Sequence, residues 1–223
     1  GDLTVSSNVT TTTTTGNVTL LTGGNMAINA TLNVGDDPAT TPAVEASNTL
    51  TLNSVGASST VTDGTSGAIK AANLELLGAT AAYTLDSASN AVTRLAGNTG
   101  SVTFLNSATL RVERVNTINS ANTVTGTVGL TTTGNVNLSG TTTLANTDGL
   151  LVSTTNPITV TGPGSITLTG NSATTIGLNV SANVSATTGT ITINGSSNSN
   201  TGVYIGNGQI SSKGAIAVTG TSA

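Results

Sequence analysis

Cysteine, histidine and tryptophan are absent from the 223 residues, and the only aromatic side chains are Tyr83, Phe104 and Tyr204. Without cysteine there is no disulfide, thiolate metal site or thiol nucleophile. Without histidine there is no imidazole to carry protons near neutral pH. Charge is scarce as well: five Lys or Arg against nine Asp or Glu give a net charge of −4, which disfavours nucleic acid and anionic membranes as partners. No apolar run approaches the roughly 18 residues of a membrane-spanning helix. The opening GDLTV has neither the basic nor the apolar region of a signal peptide. With Gly1 in first place, the chain reads as an internal segment or a processed product of a longer one.

Thr, Asn, Ser, Gly and Ala dominate the chain, with aliphatic residues spread evenly in short clusters. Such clusters can bury a core, which sets the chain apart from disordered tails. A wide globular core needs large aromatic side chains to fill it. A core of Val, Ile and Leu must instead be narrow enough for facing walls to meet, as in an elongated solenoid.

The strongest signal is internal repetition. GSITLTG opens at Gly164, GTITING at Gly189 and GAIAVTG at Gly214, a constant period of about 25 residues. A second series with the same period runs between them, IGLNVS from Ile176 and TGVYIG from Thr201. Each unit alternates apolar and polar residues, as in Ile166 and Leu168 or Ile191 and Ile193, the two-residue period of a strand with one buried face. Corner signals such as NGSSNSN at 194–200 separate the units. The same signature recurs upstream at GNVTLLTG, NMAIN, NTLTLN, ANLELLG, GSVTFLN, ATLRVERV, GNVNLSG and PITVTG, with looser spacing. The expected fold is therefore all-β, a parallel β-helix (β-solenoid) of about 25 residues per coil, with loop insertions in the N-terminal half. It forms one continuous unit over 1–223, irregular over 1–69 and more regular over 70–223. Ile166, Ile191 and Ile216 are expected to stack at the strand spacing of about 4.8 Å, in a shaft of roughly nine coils. An antiparallel sandwich fits the strands but not the recurrence of like residues at a fixed interval.

The blocks LELLGATAAYTLDSASNAVTRLAGNTGSVTFLNSATLRVERV (74–115), VGLTTTGNVNLSG (128–140) and TGVYIGNGQISSKGAIAVTG (201–220) resemble the repeat region of filamentous-haemagglutinin-like bacterial exoproteins. The resemblance covers most of 70–223 and only weakly 1–69. It implies a right-handed β-helix, export by a two-partner route and display at the bacterial cell surface as an adhesin shaft. Partners would then be further coils of the same protein or neighbouring subunits, and surface glycans or proteins of another cell. The NPNL and NPNG motifs of that family's secretion domain and the RGD tripeptide are absent from the sequence. Two alternatives stand beside this reading: a filament or surface-layer subunit assembling through its ends, and a carbohydrate-active β-helix enzyme.

The enzyme alternative needs clustered carboxylates. Only Asp36 and Asp37 are close in sequence, in the GDDPATTP insertion at 35–42, a candidate Ca²⁺ loop that reads more simply as solvated. No catalytic, cofactor or metal residue is assigned. Arg94, Arg111, Glu113 and Arg114 are the densest charge group, expected to form salt bridges between neighbouring coils on an outer face, with a glycan or partner contact as the alternative. The Thr10 to Thr15 run invites an ice-binding reading. A linear run alternates faces, however, and the positions after Ile166, Ile191 and Ile216 are Thr167, Thr192 and Ala217. Glycosylation sequons at Asn8, Asn17, Asn29, Asn137, Asn179, Asn183 and Asn194 follow from the richness in Asn, Thr and Ser. Asn at the corners is expected in left-handed turns or in amide stacks.

Overall fold

A computed structural model describes residues 1–11, 17–35, 48–118 and 124–223. Every regular element among them is a strand. The first ladder joins Leu3–Val5, Met26–Ile28, Thr60–Asp63, 82–85, 101–106, Val136–Thr142, Ile166–Ser172, Ile191–Ser197 and Ile216–Ser222, all parallel. One inward column therefore reads Leu3, Met26, Val61, Tyr83, Val102, Val136, Ile166, Ile191 and Ile216. Eight steps of about 4.8 Å give this β-solenoid a length of about 38 Å.

The expected stacking of Ile166, Ile191 and Ile216 holds, at the constant step read from the sequence. Elsewhere the step varies. It lengthens between Val136 and Ile166, shortens between Tyr83 and Val102, and is longest between Met26 and Val61. The coil, not the count, is what repeats, because extra residues leave at corners while the paired strands keep register. Close packing along the axis also explains the glycines that mark the motif. A Cβ on Gly189 would collide with the carbonyl oxygen of Gly164 on the coil before it, and one on Gly214 with that of Gly189.

Two further columns line the interior. Val18, Leu50, Leu74, Leu95, Val112, Val152, Val180 and Ile205 form one. Leu20, Leu52, Leu76, Gly97, Leu130, Ile158, Val184 and Ile210 form the other. In the first four coils both columns lie on one continuous strand, as in 73–77. From the fifth coil they are carried by separate strands, Leu110–Val112 and Leu130–Thr132. A fourth ladder, Val9–Thr11, Thr31–Val34, 68–71 and 91–92, belongs to the first four coils alone.

The segment inserted at this change of cross-section forms an antiparallel hairpin, Val115–Ile118 with Val124–Thr127. It folds back over the outside of earlier coils. The Thr49 hydroxyl donates to the Asn116 carbonyl (3.1 Å), and Thr127 donates to the Glu75 carboxylate (2.6 Å), which also accepts from Thr51 (2.9 Å). Thr49, Thr51, Asn73, Glu75 and Ala96 alternate with the inward Leu residues, so they point outward, yet they are buried.

The aromatics refine the expectation of a narrow aliphatic core. Tyr83 and Phe104 point inward on the fourth and fifth coils and are fully buried, whereas Tyr204 is exposed. On the coil that carries Tyr83, the second interior column is interrupted by Gly97. The Tyr83 hydroxyl lies 2.8 Å from the Leu52 carbonyl and 2.7 Å from that of Leu77, so the buried phenol keeps a backbone acceptor.

In the last coil, Ile216 and Val218 continue inward columns but are 45% and 47% exposed, against 0% for Ile191 and Ile193. Burial in this fold thus comes from coils above and below. Ile191→Ala should therefore cost about 2–5 kcal/mol in urea unfolding, the usual range for emptying a filled site, and Ile216→Ala about 1 kcal/mol or less. Equal costs at the two positions would contradict stacking as the source of burial.

Candidate functional site

The side chains beside each strand start show a recurring device. Residues entering a coil hold an amide N–H that the parallel ladder leaves without a carbonyl. The Asn8 Oδ1 accepts the Thr31 N–H (3.0 Å), Asn17 that of Thr49 (2.9 Å), Asn25 that of Thr60 (2.9 Å), Asn135 that of Ser165 (2.9 Å) and Asn183 that of Gln209 (3.0 Å). Corner asparagines thus clasp the following coil. The residues with positive φ other than glycine are Ser58, Asn146 and Thr155, so a left-handed turn is adopted by one asparagine among the described residues. Three sequon asparagines, Asn8, Asn17 and Asn183, use their side chains in this clasp.

The predicted charge group does assemble. Arg94 and Arg111 are register neighbours on adjacent coils, a like-charge pairing that would be unfavourable alone. Glu113 resolves it. Its Oε2 accepts from Arg94 Nε at 2.8 Å and lies 3.8 Å from Arg111 Nη1, while Oε1 accepts the Ser153 hydroxyl at 3.0 Å. One carboxylate therefore ties three successive coils. Glu113 lies just after the strand Leu110–Val112, and Arg114 turns away to Asn116 Oδ1 at 2.8 Å.

A second carboxylate escaped the sequence reading. Asp63 is paired with Ile28, so it occupies an inward column position, and it is 8% exposed. It accepts the Asp86 N–H at 2.8 Å, the Ser87 N–H at 3.2 Å and the Asn90 Nδ2 at 2.7 Å. Asn90 cannot turn its oxygen toward Asp63, because that oxygen accepts the Ile69 N–H at 2.7 Å. The arrangement pins the 86–90 corner to the coil before it. The only signal was an Asp at an alternation position in TVTD, where an aliphatic residue is expected.

Asp36 and Asp37, the candidate Ca²⁺ loop, lie outside the described residues, as do Thr12 to Thr15. Thr10 and Thr11 obey strand alternation: Thr10 is exposed, and Thr11 pairs with the buried Val34 and accepts the Gly35 N–H. Among the described residues, no three His, Cys, Asp or Glu come together as a metal site, and no helix is long and apolar enough to cross a membrane. A shallow groove of about 350 Å³ lies at one corner, lined by Thr154, Thr155, Pro157, Ser181, Ala182, Asn183 and Asn207. Comparison with protein-family models, with curated proteins and with solved structures finds no match for this chain.

Burial holds the Asp63 carboxyl above the ordinary carboxylate value, outweighing the lowering by its three donors. A carboxyl raised in the folded state contributes stability below its unfolded pKa of about 3.9, and that contribution is lost as pH rises through the folded value. The stability of the wild type relative to Asp63→Asn should therefore increase as pH falls from 7 to 3. A change in the opposite direction would show that the three donors outweigh burial. Asp63→Ala should cost about 1–3 kcal/mol at either pH through its orphaned donors, read from chemical unfolding.

Proposed function

We propose that this chain is shaft material of a secreted or cell-surface adhesin of the filamentous-haemagglutinin-like kind, working by reach, rigidity and surface contact. The observation that carries this reading is the unbroken first ladder, nine strand segments in parallel register over a single hydrophobic cluster. Bending such a rod means breaking ladder hydrogen bonds and opening buried columns together, which makes it stiff along its axis. The chemistry of its surface is consistent with contact: outward positions carry mostly hydroxyls and amides, and one cluster of charge, Arg94, Arg111 and Glu113, joins neighbouring coils. Localisation at the bacterial surface and partners on another cell belong to the same proposal.

A second reading, assembly through the ends, is favoured by one observation. Ile205, Ile216 and Val218 are the last members of their inward columns and yet are exposed. A further coil, from the same protein or a neighbouring subunit, would cover them.

Beads coated with the chain should be retained on cell monolayers several-fold more than beads coated with an unrelated protein of equal net charge. Equal retention would overturn the adhesin reading. Concentration-dependent sedimentation of the free chain, abolished by Ile216→Arg, would favour end-to-end assembly instead.

A further inference from the structure

A glycine that follows asparagine or aspartate leaves its amide nitrogen unshielded beside the side-chain carbonyl carbon, because it has no Cβ. Attack by that nitrogen closes a five-membered succinimide ring, so each such pair is a potential site of spontaneous backbone chemistry. The chain holds four of them: Asp63–Gly64, Asp148–Gly149, Asn194–Gly195 and Asn207–Gly208. The fold treats them differently.

Three of the attacking nitrogens are tied down. The Gly64 N–H donates to the Ile28 carbonyl at 2.8 Å, and the Gly149 N–H to that of Ile176 at 3.1 Å. Gly195 sits inside the first ladder, register-paired with Gly170 on one side and Gly220 on the other, where ladder hydrogen bonds hold the backbone. The two aspartates are also held at the side chain. Asp63 has its three donors, and Asp148 accepts the Ile176 N–H at 3.2 Å and Asn179 Nδ2 at 3.0 Å. Asn207–Gly208 has none of these restraints. It lies in a corner, bracketed by the Gly206 N–H, bonded to the Val180 carbonyl (2.9 Å), and the Gln209 N–H, clasped by Asn183 Oδ1 (3.0 Å). Among the described residues, neither the Gly208 N–H nor the Asn207 side chain makes a hydrogen bond, and Asn207 is exposed to water.

We propose that Asn207 is a self-modification site, converted in the folded chain to a mixture of isoaspartate and aspartate while the other three pairs stay intact. The Gly208 nitrogen, its proton taken by hydroxide, bonds to Asn207 Cγ; the Cγ–Nδ2 bond breaks and ammonia leaves. Water then opens the succinimide at either carbonyl. Opening at the backbone carbonyl leaves an isoaspartyl link, and opening at the side-chain carbonyl leaves aspartate. The net change is one water consumed and one ammonia released. Either product carries a carboxylate that the chain did not have. Asn207 lines the groove with Thr155, Pro157 and Asn183, and no ionisable side chain lines it. The reaction therefore turns a neutral groove anionic as the protein ages. The isoaspartyl product lengthens the backbone by one carbon at a corner, the place where the coils absorb extra chain without losing register. None of this depends on what the shaft contacts.

The test is incubation of the whole folded chain at mildly alkaline pH in water carrying heavy oxygen, followed by peptide mapping with fragmentation that separates isoaspartate from aspartate. Asn207 should lose its amide, take up one heavy oxygen and yield both products at least about tenfold faster than Asn194, because a ladder-held amide reacts only after local opening. Asp63 and Asp148 should keep their ordinary backbone linkage. In urea the protection is lost, and Asn194 and Asn207 should react at similar rates. Asn207→Gln should remove the acidic form that anion exchange resolves from the parent. An intact Asn207 in the folded chain, Asn194 reacting as fast as Asn207 there, aspartate formed without isoaspartate, or the same disparity persisting in urea would each overturn the proposal.

Discussion

Everything in this molecule depends on one constraint: each inward side chain must find an equivalent side chain directly above and below it. A coil has no core of its own. Its two or three aliphatic residues per wall become buried only when the next coil is laid on at the strand spacing, and the same step makes the ladder hydrogen bonds. Burial and backbone pairing are therefore a single event repeated along the axis, with stability shared between nearest neighbours. The contrast between Ile191, fully buried, and Ile216, in the same column but nearly half exposed, shows the constraint at work.

The same constraint sorts what can vary from what cannot. Chain leaving at a corner does not disturb the stack, so the long step from Met26 to Val61 and the short one from Tyr83 to Val102 coexist in one ladder. A polar group turned inward must bring its partners with it. Asp63 does so with three donors, Tyr83 with two backbone carbonyls, and Asn106 with the Val92 N–H and the carbonyls of Val92 and Ala108. Outward positions are released from packing, and threonine, serine and asparagine fill them as residues that suit an exposed strand.

The legible part of the fold follows from that logic. Alternation in GSITLTG, GTITING and GAIAVTG fixes faces, and their constant step fixes register, so the C-terminal coils could be stacked from the sequence residue by residue. Arg111 and Glu113, two residues apart, could be placed on one outer face with charge partners on adjacent coils, although that the partner of Glu113 is Arg94 depends on the register between coils. The rest was hidden for physical reasons. The paired strands Val115–Ile118 and Val124–Thr127 are built from the same Val and Thr residues as the coils, and nothing local says that they pair with each other and not with the next coil. Burial of Thr49, Thr51 and Glu75 follows from that hairpin, so it could not be read from alternation. The asparagine clasps depend on which N–H lies one coil away, a distance that varying steps conceal.

Parallel, in-register stacking is the central claim, and a chain without cysteine allows it to be tested by cross-linking. Thr167 pairs with Thr192 and Thr169 with Asn194, all facing outward. At about 4.8 Å between Cα atoms, each pair lies within disulfide reach. Under mild oxidation, Thr167→Cys with Thr192→Cys and Thr169→Cys with Asn194→Cys should both form the intrachain disulfide, while Thr167→Cys with Asn194→Cys should not. Antiparallel pairing could bring together at most one of the two register pairs, so failure of either to cross-link, or equal cross-linking of the offset pair, would contradict the account.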